Sequence, residues 1–151
     1  MNNILISSVS EFLIRDLSKL KQEISAYKSE NILWVIEGEI KNAAGNLCMH
    51  LCGNLQHFIG TVLGNTNYVR NRDAEFNLKG LSKELLIKEI EKTIQIVQHV
   101  LLKLEPSVLE QNYPIEVFGN PMTTGYFLIH LAGHLNYHLG QVNYHRRLLD
   151  K

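Results

Sequence analysis

Long apolar runs are missing from this chain of 151 residues. No stretch approaches the ~18 consecutive apolar residues that a membrane-spanning helix requires, and residues 1–9 lack the basic flank and sustained apolar core of a secretory leader. A cytoplasmic protein without a membrane partner is therefore expected. An excess of charge is missing too: Lys+Arg and Asp+Glu number 15 each. No global field draws such a protein to nucleic acid, which is not expected as a partner. Cysteine is scarce. Cys48 and Cys52, four apart on an expected helix, are neighbours without the geometry of a disulfide and read as small buried side chains. Several catalytic signatures are also absent. H-E-x-x-H proteases need Glu after the first histidine, where Leu135 stands. Ferritin-like di-iron bundles need E-x-x-H, and no histidine here has Glu three residues before it. No P-loop, G-x-G-x-x-G, C-x-x-C or G-x-S-x-G occurs.

What the chain does have is an apolar fraction of 45% with 20% charged residues, which suits one globular domain with a substantial core over residues 1–151. Helical periodicity dominates. Over residues 9–27, Phe12, Leu13, Leu17, Leu20 and Ile24 recur at steps of three and four between charged positions, as on an amphipathic helix. Residues 29–41 break the pattern and read as an irregular linker that tucks Trp34 against the other helices. A second helix is expected over residues 42–63, poor in charge and so largely buried, with one polar seam of Asn46, His50, Asn54 and His57. Residues 70–77 read as a charged loop. Ser82 is a good N-cap for a third helix marked by Leu86, Ile90, Ile94, Val97, Leu101 and Leu104 and closed by Pro106. A long connection over residues 105–122 then leads to a fourth helix, capped by Thr123 or Thr124 and running to about residue 149, with Arg146 and Arg147 where cations complement the helix dipole. Four helices joined by loops predict an all-α four-helix bundle.

The last helix carries four of the seven histidines, His130, His134, His138 and His145. A face turned to the core should be apolar, so this stripe needs a partner. Two histidines four apart lie about 6 Å from each other along a helix axis, a spacing at which both imidazoles reach one ion. His130 and His138 are about 12 Å apart and His50 and His57 about 10 Å, too far to share one. The pair is therefore His130/His134 or His134/His138, and His50, on the polar seam of the most buried helix, is the natural third ligand. Gln141 and Asn54 are placed to orient a ligating imidazole through its other ring nitrogen. His57, His130 and His145 read as structural residues or surroundings of the site, and His99 as structural.

The run His134-Leu135-Asn136-Tyr137-His138-Leu139-Gly140-Gln141, together with His50-Leu51-Cys52-Gly53-Asn54-Leu55, resembles the DinB/YfiT-like superfamily of metal-binding four-helix bundles. The run from His50 to Leu55, the loop from Arg70 to Phe76 and the ending Tyr144-His145-Arg146-Arg147 are similar to an uncharacterised bacterial branch of it. The resemblance covers nearly the whole chain. It implies a divalent metal held by His50, His134 and His138, and a homodimer. The superfamily includes thiol transferases using bacillithiol and a mycothiol-dependent isomerase. One departure stands out: the usual pattern has Arg after the second histidine of the pair, and here Leu139 takes that position.

Three neutral imidazoles leave a divalent ion with positions open to water or substrate. Zinc or nickel is the expected ion, with iron or manganese as alternatives. Such an ion can activate water or hold a thiolate. The expected function is thus that of a small metal-dependent enzyme, a hydrolase or a low-molecular-weight-thiol transferase acting on a small molecule. The alternative is a ligand-binding or stress-response module that uses the metal without turnover. No catalytic residue is assigned, and Asp73 and Glu75 read as solvated or structural charges rather than as a general base.

Overall fold

The computed structural model describes residues 3–151; Met1 and Asn2, the start of the segment read above for a leader, lie outside the described residues. Helix accounts for 72% of the structure, with no strand among the described residues beyond an isolated bridge between Asn112 and Thr123. Helix α1 (Ile4–Ala26) begins earlier than the periodicity indicated. Asn3 caps it, its side chain accepting from the Leu5 and Ile6 amides at 2.9 and 3.2 Å, and Ile6 extends the buried stripe of Val9, Leu13, Leu17, Leu20 and Ile24. After α1 the chain forms a 3-10 turn, Glu30–Trp34. The Trp34 indole lies flat on Gly45, where a Cβ would collide with its ring, and donates to the Leu81 carbonyl at 3.3 Å. Trp34 thus packs against the next helix as the sequence suggested.

Helix α2 runs unbroken through three stretches. An α-helical part, Ala44–Leu55, passes into a π segment, Gln56–Thr61, and ends in the turn Val62–Gly64. Asn65, at φ 52°, stops it in the left-handed conformation that Asn tolerates better than most residues. The stretch expected to be a loop contains helix α3 (Arg72–Asn77), capped by Asn71, which accepts from the Ala74 amide at 3.1 Å. Its six residues are too few to show a hydrophobic period. Helix α4 (Lys83–Lys103) starts at the Ser82 cap as expected, with the Leu85 amide 3.2 Å from the hydroxyl. The long connection is tied down rather than loose: Tyr113 and Met122, and Thr124 and Gln111, pair through their backbones at 2.8 Å. Helix α5 (Thr124–Leu149) follows the Thr123 cap.

Helix α1 packs on α4 and α5, and α2 packs on the same two and on α3. Leu13, Leu17, Leu51, Leu55, Leu86, Ile90, Leu131 and Leu135 meet in the shared core, together with the buried free Cys48 and Cys52. No described helix is long and apolar enough to cross a membrane. The contact of α2 with α5 brings the polar seam of one to the histidine stripe of the other.

Candidate metal centre

His134 and His138, one turn apart on α5, present their rings at 4.6 Å between centroids in an edge-on arrangement. From α2, His50 comes in across them, with its Nε2 3.1 Å from Nε2 of His134 and its ring 5.4 Å from that of His138. One nitrogen from each of the three can be chosen so that all lie within 4.8 Å of one another. A group with this spacing can hold a metal ion.

The hydrogen bonds around the group favour that use. Nδ1 of His50 lies 3.0 Å from Oε1 of Glu75, so the carboxylate accepts the Nδ1 proton and Nε2 keeps a lone pair. The Arg70 guanidinium also approaches that nitrogen at 3.4 Å, but two donors do not bond, and the shorter carboxylate contact sets the tautomer. His138 is held in the same way, its Nδ1 donating to Oε1 of Gln141 at 2.7 Å. In His134 the buried Nδ1 has no partner among the described residues, and Nε2 faces His50. Two imidazole nitrogens at 3.1 Å need a proton or a cation between their lone pairs. Two nitrogens bound at 2.0–2.1 Å to one tetrahedral zinc would stand about 3.3 Å apart, close to the separation of His50 and His134.

Electrostatics keep His134 and His138 neutral. Burial, reinforced by the neighbouring His138, His50, His130 and Arg70, pushes His134 down to about 3. Burial also lowers His138, against a raising effect of its bond to Gln141. For Glu75, burial alone would raise the pKa, but hydrogen bonds from His50 and Arg70 outweigh it and hold the carboxyl below its ordinary value. Arg70 clasps both oxygens of Glu75 at 2.9 Å. This places an ionised carboxylate behind His50.

Glu75 reads in the sequence as a solvated or structural charge; it is only 4% exposed, and it is the residue that orients His50. Its position depends on two features of α2. Gly53 leaves the space that its carboxylate occupies, which a Cβ would fill. Asn46, one turn before His50, donates to the Glu75 and Leu78 carbonyls at 3.0 and 2.8 Å and so anchors α3. A charged residue flanked by an N-cap and facing a helix with glycine one turn from its histidine was the available signal. Asp73, by contrast, is exposed.

The remaining polar positions divide differently from expectation. Gln141 does orient an imidazole, whereas Asn54 hydrogen-bonds to none among the described residues and its Oδ1 has no partner there. His130 is exposed and stacks on Phe127, outside the group of three. His57 sits in the π segment beside Phe58. His145 is a clamp: Nδ1 accepts from the Tyr27 hydroxyl at 2.8 Å while Nε2 donates to the Val35 carbonyl at 2.8 Å. Leu139 is buried in the core, so the cation beside the three histidines is Arg70 from the loop rather than a residue following His138.

Comparison with known proteins agrees with this architecture at the level of family. A search of curated proteins finds no match. The family model described as "Protein of unknown function (DUF1572)" matches residues 5–151, almost the whole chain. The chain therefore belongs to the DUF1572 family, a DinB/YfiT-like family.

Proposed function

We propose that this protein is a four-helix bundle of the DinB/YfiT type that binds a divalent metal ion through His50, His134 and His138 and uses it as a small metal-dependent enzyme. The observation that carries the reading is the convergence of three imidazoles from two helices, two of them fixed through Nδ1 by acceptors. Imidazole ligation suits zinc or nickel, and also iron. Three protein ligands leave coordination open, as in catalytic rather than structural zinc sites. When bound, such an ion is a Lewis acid that can activate water or hold a thiolate, which fits a hydrolase or a low-molecular-weight-thiol transferase.

The chain's own residues supply positioning. Glu75 and Gln141 hold His50 and His138 in the ligating tautomer, and Arg70 keeps Glu75 ionised and in place. Neither oxygen of Glu75 is free to take a proton from a substrate, so Glu75 is a positioning residue.

Elemental analysis of the purified protein and of His50→Ala, His134→Ala and His138→Ala tests the assignment. Near-stoichiometric metal in the parent and its loss from each variant is expected. Metal retained in all three variants would overturn it. Metal-loaded protein assayed against ester, amide and thiol-plus-electrophile panels then tests for turnover, and reversible binding without turnover on any panel would favour the binding module instead.

A further inference from the structure

Beside His138 the groove between α2 and α5 opens into a cleft of about 700 Å³, bounded by the connector that precedes α2 and the C-terminal half of α5. Of the three histidines His138 lines it, together with its partner Gln141, so the cleft adjoins the three-histidine group at His138. Its volume falls within the ~300–1,000 Å³ of small-molecule sites.

The chemistry of its walls is mainly apolar. Ile40 contributes aliphatic surface from one side, with the buried Leu47 behind it, and Tyr137, Tyr144 and Leu148 contribute aromatic and aliphatic surface from α5. These three α5 side chains are 66%, 62% and 56% exposed, apolar surface left uncovered along one side of a cleft rather than scattered singly. The charged lining residues, Glu39 and Lys41, are opposite in sign and both exposed, so the walls favour neither an anion nor a cation.

We propose that this cleft binds the body of the substrate, and that this body is an uncharged aromatic or branched aliphatic group whose head reaches the three histidines. The proposal rests on the metal-dependent reading above and adds to it where the substrate lies and of what class it is. Tyr137 and Tyr144 bring aromatic surface to such a body, while Ile40 and Leu148 supply aliphatic contacts that are indifferent to orientation. The head group approaches past His138.

The test uses cobalt-loaded protein and two uncharged thiols with the same ligating atom, phenylmethanethiol and 2-mercaptoethanol, with the thiolate-to-cobalt absorption as readout. Burying a phenyl ring predicts that the aromatic thiol binds about tenfold more tightly or better. Tyr144→Ala and Leu148→Ala, both at positions already more than half exposed, should remove most of that preference while leaving cobalt stoichiometry and 2-mercaptoethanol affinity unchanged. Tyr126→Ala, exposed on the same helix but outside the cleft, should leave the preference intact. Equal affinities for the two thiols, or a preference that survives both cleft variants, would overturn the proposal while leaving the metal assignment standing. A shift in sedimentation of Tyr144→Ala with no change in thiol preference would overturn it in favour of a second copy of the chain covering the cleft. Failure of the protein to take up cobalt would overturn the metal reading and this proposal with it.

Discussion

His50 can serve as a ligand through Nε2 only while Nδ1 holds the proton, and Glu75 accepts that proton at 3.0 Å. Partners of this kind typically change metal affinity 10- to 100-fold when removed. Glu75→Ala is therefore expected to weaken metal binding by about that factor, read by competition with a chromophoric chelator, with His134 and His138 still in place. Gly53→Ala should act in the same direction without replacing a ligand or its partner, because the new methyl displaces the Glu75 carboxylate pinned by Arg70. Unchanged affinity in both variants would show that His50 needs no such hold. Acid should act on the metal-free protein through the same residues. In the folded chain His134 lies at about 3, against an ordinary 6.5, and His138 is lowered as well. Between those values the unfolded chain binds protons that the folded chain refuses, so this contribution to stability is whole above 6.5 and declines as pH falls toward 3. Glu75 has the same sign at lower pH, its contribution complete above 4.5 and lost as pH falls through its depressed value. Urea midpoints of chelator-treated protein should fall between pH about 7.5 and about 5, and less so in His134→Gln. A flat profile would contradict the buried, neutral state of His134.

At the level of elements, α1 and α4 were readable because each buries a stripe repeated at three and four residues, α2 because it is poor in charge, and α4 begins at the Ser82 cap that the sequence announced. Histidine spacing on α5 narrowed the ligating pair to two choices, and α2 offered His50 from its polar seam. Glu75 was not readable in this way. Its partner lies 25 residues away, its helix is six residues long, and a run rich in charge ordinarily faces water. The π segment of α2 was equally hidden, since nothing in the composition of Gln56–Thr61 distinguishes it from an α-helical turn. On α5 the two faces have separable duties: Leu135 is fully buried beside His134, which turns toward α2. Leu135→Ala should cost about 2–5 kcal/mol of stability, measured by urea unfolding of metal-free protein. Metal stoichiometry under folding conditions should stay unchanged. Loss of the metal with no loss of stability would mean that the faces are not separable.

Across the whole molecule, the three histidines belong to α2 and α5, but their order depends on the stretch between α2 and α4. Arg70 and Glu75 come from that stretch, Asn46 anchors it from α2, and Lys79 returns to Asn46 at 2.5 Å. The stretch is thus fastened at one end of the bundle by the same bonds that set the tautomer of His50. Arg70 and Arg72 are also sites that trypsin recognises, and Arg72 is exposed. An ion that fixes His50 should hold Glu75 and, through it, Arg70, so metal-loaded protein should resist tryptic cleavage at Arg70 and Arg72, and a chelator should restore it. Mass spectrometry of the fragments gives the readout, with equal cleavage in both states as the contrary result. A peptide bond well away from any histidine in the sequence would then report whether the histidines are engaged.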